Sequence, residues 1–256
     1  MLDVVKMRLA QIGDLARYNG WSFVLKELAF VNRTAVVVEK DLSEIADRAE
    51  PLASANLQVV EIDQKLLAAP YRFSSNSRRL KAIHNLKGGY GGMALVRDNV
   101  IIGDTWYWIP ESTDPNATLH IDLRRFGIKN WSERYVYTFD IFVAHAERKS
   151  GVSAAFQNRA MLLLRSKGYT KAFGFYWADN IPAHWCTRVT NKWKKLRDVR
   201  VTRFLTFMRA VPVPESQALP PNVTTEVKER PDKETTAESE HARTADESAE
   251  HVHLGV

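Results

Sequence analysis

The chain holds one cysteine, Cys186, in 256 residues. That excludes an internal disulfide framework and a cysteine-built zinc cluster, and it fits a reducing compartment. Long apolar runs are missing as well: none approaches the roughly 18 residues that a membrane span needs. The opening Met1-Leu2-Asp3-Val4-Val5-Lys6 has no basic region followed by an apolar stretch, so no secretory leader is expected and the expected address is cytoplasmic. Histidine is sparse, and His241, His251 and His253 stand in a polar segment where no metal site is expected. What is present is ordinary for a globular chain, with 10% aromatic and 26% charged residues and length enough to bury a sizeable core.

The formal net charge of +6 averages two unlike parts. Residues 211–256 carry 4 basic and 10 acidic side chains, a balance of −6, which leaves +12 on residues 1–210. The same segment has no Phe, Trp, Tyr, Ile or Met and carries five prolines from Pro212 to Pro231. Such a composition buries too little apolar surface to offset ordering entropy, so 211–256 is expected to be a disordered acidic tail. It reads either as an arm that competes for the basic body or as a solubilising tail.

Within the body, Ile12, Leu15, Ala16, Trp21, Val24, Leu25 and Leu28 approach helical spacing, with Asn19-Gly20 as an interruption. Thr34 to Val38 and Leu57 to Ile62 read as strands, with a short helix expected over Leu42 to Ala49 between them. Arg72 to Lys87 reads as a basic helix. Met93 to Val96 and Val100 to Trp108 are strands joined at hairpin length by Arg97-Asp98-Asn99. Alternation of Leu119, Ile121 and Leu123 with His120, Asp122 and Arg124 predicts a one-sided strand. Tyr135 to Val143 is a long β-prone run. Phe156, Ala160, Leu163 and Leu164 predict a helix over Ala154 to Lys167, stopped by Gly168. A strand at Ala172 to Trp177, a helix at Ile181 to Trp193 and a strand at Val199 to Met208 follow. This order predicts an α/β or α+β domain in three layers.

The informative junction lies between the strand ending at Val143 and the helix after it. Arg148-Lys149-Ser150-Gly151-Val152-Ser153 places a glycine turn before a helix N-terminus, with two cations alongside. Converging backbone N–H groups and the helix dipole favour an anion there, such as a phosphate or pyrophosphate. The plain alternative is a strand-to-helix turn with basic surface residues.

These residues resemble the GNAT superfamily of acyl-CoA-dependent N-acyltransferases, whose signature is Gln/Arg-x-x-Gly-x-Gly/Ala between a strand and the following helix. Arg148 and Gly151 match it, and Ser153 stands where Gly or Ala is usual. Asp140-Ile141-Phe142-Val143 is similar to the family's strand ending, Gly168-Tyr169 to its helix end, and Asn180-Ile181-Pro182-Ala183 to its Asn-x-x-Ala. The resemblance spans roughly residues 89–208. It implies a GNAT-like mixed central sheet flanked by helices, with residues 1–88 as an N-terminal α/β extension of the same domain or an accessory layer, 89–210 as the acyl-CoA-binding core and 211–256 as the tail.

The resemblance further implies an N-acyltransferase moving an acetyl or other acyl group from CoA to an amine of unknown identity. Phe142, Val143, Arg148, Lys149, Ser150, Gly151, Val152, Ser153 and Asn180 would hold acetyl-CoA or another acyl-CoA, with the Val143 N–H as oxyanion donor. Asp140 is the carboxylate offered as general base. Thr187 occupies the position where the family has a proton-donating Tyr, and Asn191-Lys192 replaces its Gly-Phe. An aliphatic hydroxyl is a poor acid, which leaves open a second reading, a catalytically degenerate acyl-CoA-binding sensor or partner protein. Tyr137 and Tyr176 are the other candidate groups on the flanking strands. A third reading is nucleic-acid binding through the basic body, with Arg72 to Lys87 as the contact face; no nucleic-acid motif accompanies it. Gly88-Gly89-Tyr90-Gly91-Gly92 precedes a strand and lacks Gly-Lys-Ser/Thr, so it reads as a strand entry and not a phosphate loop.

Overall fold

The computed structural model describes residues 2–22, 24, 30–109, 119–129, 131–148, 151–204 and 207–214. The acidic segment from 215 onward, and the disorder expected of it, lie outside the described residues, as do Lys149 and Ser150. In chain order the elements are α1 (Leu2–Asn19), β1 (Phe30–Asp41), α2 (Glu50–Ser54), β2 (Gln58–Ile62), α3 (Gln64–Ala68), β3 (Arg72–Phe73), α4 (Asn76–Lys87) and β4 (Gly91–Arg97). There follow β5 (Val100–Trp108), α5 (Ile121–Arg125), β6 (Tyr135–Val143), α6 (Val152–Ser166), β7 (Lys171–Trp177), α7 (Ile181–His184), β8 (Lys194–Phe204) and β9 (Phe207–Pro212). A 3₁₀ turn occupies His145–Glu147, and a π-helical turn, Trp185–Thr190, continues α7.

The described strands form one mixed sheet in the order β2-β4-β5-β6-β7-β1-β8-β9, with β3 paired in parallel to β5. β6 and β7 are parallel, while β4, β5 and β6 form an antiparallel meander. Asp98 and Asn99 both take positive φ between β4 and β5, the geometry of a two-residue type I′ hairpin that matches strand twist. One face of the sheet is covered by α6 and α2, through Leu52, Val143, Val152, Phe156, Ala160 and Leu164. The other carries α3, α4 and α5, through Leu66, Ala82, Trp106, Leu123 and Tyr137, with α1 packed on α4. The result is a mixed α/β sheet flanked by helices.

Several sequence expectations are corrected. Residues 42–49 are not helical; Leu42 and Ile45 are buried beside α6, and the helix starts only at Glu50, where Pro51 suits a first turn. The strand expected at Leu119 to Leu123 is helix α5. Leu119 and Leu123 are buried at i, i+4 while Ile121 is exposed, which a strand would not allow, and the His120 ring accepts from the Asp122 N–H as a cap. Of the basic helix, residues 72–73 belong to β3, and Ser75 caps α4 by accepting from the Arg78 N–H. The helix over Ile181 to Trp193 is α for one turn and π for the next, and Trp193 lies beyond it in the core. The closing strand is a hairpin, β8 and β9. β1 inserts between β7 and β8 and pairs with both in antiparallel fashion, so the N-terminal part supplies an inner strand.

Candidate functional site

The centre of interest is a fork in the sheet. β6 and β7 pair only through Tyr135–Lys171, Val136–Ala172 and Tyr137–Phe173. Beyond that point β6 stays on β5 as far as Val143, and β7 stays on β1 as far as Trp177, so the two strands part. Thr138 Oγ1 donates to the Phe173 carbonyl at 3.1 Å, just where they separate. Gly174 allows the close approach, since a Cβ there would stand 3.2 Å from the Thr138 carbonyl oxygen.

A bulge in β6 accompanies the fork. Asp104 faces Phe142 and Trp106 faces Phe139, so Thr105 of β5 stands against both Asp140 and Ile141. Asp140 takes φ +52, a left-handed conformation uncommon for a residue other than glycine. Bulges bend a strand and raise its twist.

Past Val143 the chain makes the 3₁₀ turn and reaches Gly151, the N-cap of α6, at φ +79. The first helical bond runs from the Ala155 N–H to the Gly151 carbonyl at 3.0 Å. The N–H groups of Val152, Ser153 and Ala154 precede it, and Gly151 offers no side chain to cap them. Open space surrounds the Gly151 Cβ position. Val152, Ala155 and Phe156 pack with Val143, which sets this helix start beside the open end of the fork. Arg148 folds back, its Nε donating to the Val143 carbonyl at 2.8 Å, and Glu147 pairs with Arg97 at 2.9 Å. The structure thus brings together Phe142, Val143, Arg148, Gly151, Val152 and Ser153. Asn180 caps α7, its Oδ1 accepting from the Ala183 N–H at 3.0 Å.

Asp140 is buried among cations. Arg78 Nη2 lies 2.9 Å and Lys81 Nζ 2.7 Å from its Oδ2. Arg78 Nε also donates to Asp104 Oδ2 at 2.9 Å, Arg78 Nη2 contacts Asp104 Oδ1, and Trp106 Nε1 donates to that carboxylate at 2.8 Å. Burial acts to raise the Asp140 pKa, but Arg78 and then Lys81 outweigh it and hold the carboxyl well below the usual carboxylate range. Burial drives Lys81 down from the ordinary lysine value. This pairing opposes proton uptake by Asp140 and so acts against a general-base role. Of the basic residues over 72–87, Arg78 and Lys81 are turned inward, while Arg72, Arg79 and Lys87 are exposed.

Thr187 is buried, its hydroxyl 3.4 Å from Gln157 Nε2 of α6. Gln157 Oε1 accepts from Asn191 Nδ2 at 2.7 Å and faces Cys186 Sγ at 3.6 Å, so the π-helical turn is tied to α6 by a polar network. Burial pushes the Cys186 thiol up to about 12. Native protein at pH 8 is therefore expected to react with iodoacetamide at least tenfold more slowly than protein in urea, because the thiolate is the nucleophile. Mass-spectrometric labelling rates check this, and equal rates would refute it. On β7 beyond the fork, Tyr176 sets its hydroxyl 3.0 Å from His184 Nδ1, and burial pushes that phenol up to about 12. On the opposite face, Tyr137 donates to Asp122 at 3.2 Å and packs against the His120 ring at 4.9 Å.

Sequence reasoning missed the Arg78–Lys81–Asp104–Asp140 cluster. Its trace was the spacing of Arg78 and Lys81 at i, i+3 beside Ala82 on one helix face. Among the described residues no group of His, Cys, Asp and Glu is arranged to hold a metal ion, and no helix is long and apolar enough to cross a membrane.

No protein-family model matches this sequence, and no curated protein matches it. Among solved structures, the chain is similar to the GCN5-related glucosamine N-acetyltransferase region of a fungal multidomain GH3 β-N-acetylglucosaminidase, with 17% identity and a TM-score of 0.49 over 74% of this chain and 23% of that one. It is similar to a GCN5-related N-acetyltransferase from Kribbella flavida at 11% identity and a TM-score of 0.37, over 77% of this chain and 64% of that one. A tandem GNAT protein from the clavulanic acid biosynthesis pathway gives 12% identity and a TM-score of 0.41, over 69% and 55%. The chain spans less than two thirds of the length of each of these three. At such scores and identities they carry nothing about chemistry.

Proposed function

We propose that this chain is a GNAT-type N-acyltransferase that moves an acetyl or other acyl group from coenzyme A to an amine. The observation that carries the reading is the fork between β6 and β7, with the left-handed Gly151 opening α6 beside its mouth. The fit is physical. The first N–H groups of α6 at Val152, Ser153 and Ala154, the helix dipole and Arg148 suit a pyrophosphate, with Lys149 and Ser150 between them in sequence. Where β6 leaves β7, the backbone of Thr138 to Val143 has lost its partner on that side and suits an extended, amide-bearing arm such as pantetheine, added in the manner of a strand. Phe142 and Val143 would flank that arm, and Asn180 would order α7 above it.

Bound there, an acyl-CoA supplies a thioester whose carbonyl carbon an amine attacks, so that an N–C bond forms, the C–S bond breaks, the amine loses a proton and the departing sulfur gains one. The chain's part is to hold the amine neutral, to stabilise the oxyanion through a β6 N–H such as that of Val143, and to deliver a proton to sulfur. Asp140 serves as a fixed charge in this reading. Thr187 is engaged by Gln157, while Tyr176 keeps its phenolic proton beside His184 and stands as a candidate donor. The basic body favours an anionic acceptor.

Binding without turnover is the second reading, favoured by the ion-paired Asp140 and the buried Thr187. Calorimetry with acetyl-CoA tests both readings, with micromolar binding expected. No binding would overturn them together. Thiol release across a panel of amines then separates them, since turnover with none of the amines supports the binding protein.

A further inference from the structure

Four buried ionisable side chains meet where β6 departs from regular strand geometry. Arg78 and Lys81 stand at i, i+3 on α4 and both reach the carboxylate of Asp140, the bulge residue at φ +52. The same guanidinium spans to Asp104 on β5, and its Cζ lies 4.7 Å from the ring centroid of Phe142 on β6. Asp104 and Phe142 are direct partners across the β5–β6 ladder. One side chain therefore grips both strands on the far side of the bulge, while the fork opens on the near side after Tyr137.

The energetics argue for a purpose. A left-handed conformation costs a non-glycine residue about 1–2 kcal/mol, and it persists where the surroundings over-determine it. Buried ion clusters add little or nothing to stability compared with well-packed apolar residues, and in some proteins they are kept because they select one arrangement from several.

We infer that Arg78, Lys81, Asp104 and Asp140 are positioning residues that set the opening of the fork and so the seat of the pantetheine arm. This deepens the acyl-CoA reading above and rests on it. The cluster does not touch the start of α6 in this account, so the two halves of the coenzyme should respond differently to its loss.

The test uses the full chain and two ligands: acetyl-CoA, and adenosine 3′,5′-bisphosphate, which lacks the arm. In Lys81→Met/Asp140→Asn one cation and one anion are removed together, and Arg78 keeps Asp104. The expected result is a loss of about tenfold or more in acetyl-CoA affinity, with affinity for the bisphosphate within about twofold of wild type. Lys81→Gln, which retains a donor towards Asp140, carries the same comparison if the double variant does not fold, with a smaller loss of the same pattern. Equal losses for both ligands, or no loss for either, would overturn the positioning role while leaving the acyl-CoA site standing. Wild-type protein that binds neither ligand would overturn the acyl-CoA reading and this inference with it.

Discussion

Gly151→Trp is expected to lower acetyl-CoA affinity by about a hundredfold, some 2.8 kcal/mol, while leaving the fold in place. The residue sits at φ +79 as the N-cap of α6, with open space at its Cβ position. A Cβ there meets no atom of the described residues within 4 Å, so the folding penalty is expected to be chiefly the backbone term, about 1–2 kcal/mol. For a chain of this size that is a fall in melting temperature of roughly 2–8 °C. The indole, by contrast, would stand beside the N–H groups of Val152 to Ala154, where the pyrophosphate is proposed to lie. Gly151→Asn separates the two contributions, because asparagine tolerates the left-handed region and is small. Near-normal affinity is expected for it. Calorimetry alongside thermal denaturation reads both effects, and a tryptophan variant that binds as wild type would remove the helix start from the site.

Arg78→Leu should be the most damaging single change to stability. It strips Asp104 of its buried guanidinium and takes from Asp140 one of its two close ion-pair partners, leaving Lys81. Breaking a buried ion pair from one side costs about 3–5 kcal/mol, which corresponds to a melting temperature lower by roughly 6–20 °C. Arg78→Lys should lie between, since one ammonium cannot fork between two carboxylates. The acid response follows from the depressed Asp140 pKa. Its stabilisation is complete above the ordinary carboxylate range, about pH 4, and fades as pH falls through the lower folded value. Denaturation scans between pH 5 and pH 2 should show that slope in wild type and a shallower one in Asp140→Asn.

The parts of the fold that local pattern decides were legible. Tyr135 to Val143 is a strand because β-branched and aromatic residues fill every position of it but Asp140, and α6 follows from its apolar stripe and the glycine before it. The site's helix start was legible for the same reason. What escaped depends on partners far along the chain. Leu119, Ile121 and Leu123 alternate as a strand would, and only the packing of Leu119 and Leu123 on Tyr137 and Phe173 selects a helix. The long β-prone stretch after Lys194 is two antiparallel strands with Phe204 opposite Phe207, a division that its composition does not announce. The cluster at Asp140 was hidden because a run such as Arg78-Arg79-Leu80-Lys81 ordinarily marks a wet helix face. Its inward turn answers two carboxylates on β5 and β6, a demand invisible from α4 alone.

The place of β1 has a consequence in time. A chain made from its N-terminus completes Phe30 to Asp41 early, yet both of its sheet neighbours, β7 and β8, emerge more than a hundred residues later. Until then this apolar strand has neither flank covered, and the meander of β4, β5 and β6 can assemble without it. The fork is thus closed on its β7 side only when the oldest strand is finally threaded between two of the youngest. Sheet closure of that kind carries the entropy of a long loop and tends to be slow, so the competence of the proposed coenzyme seat would be among the last properties the nascent protein acquires.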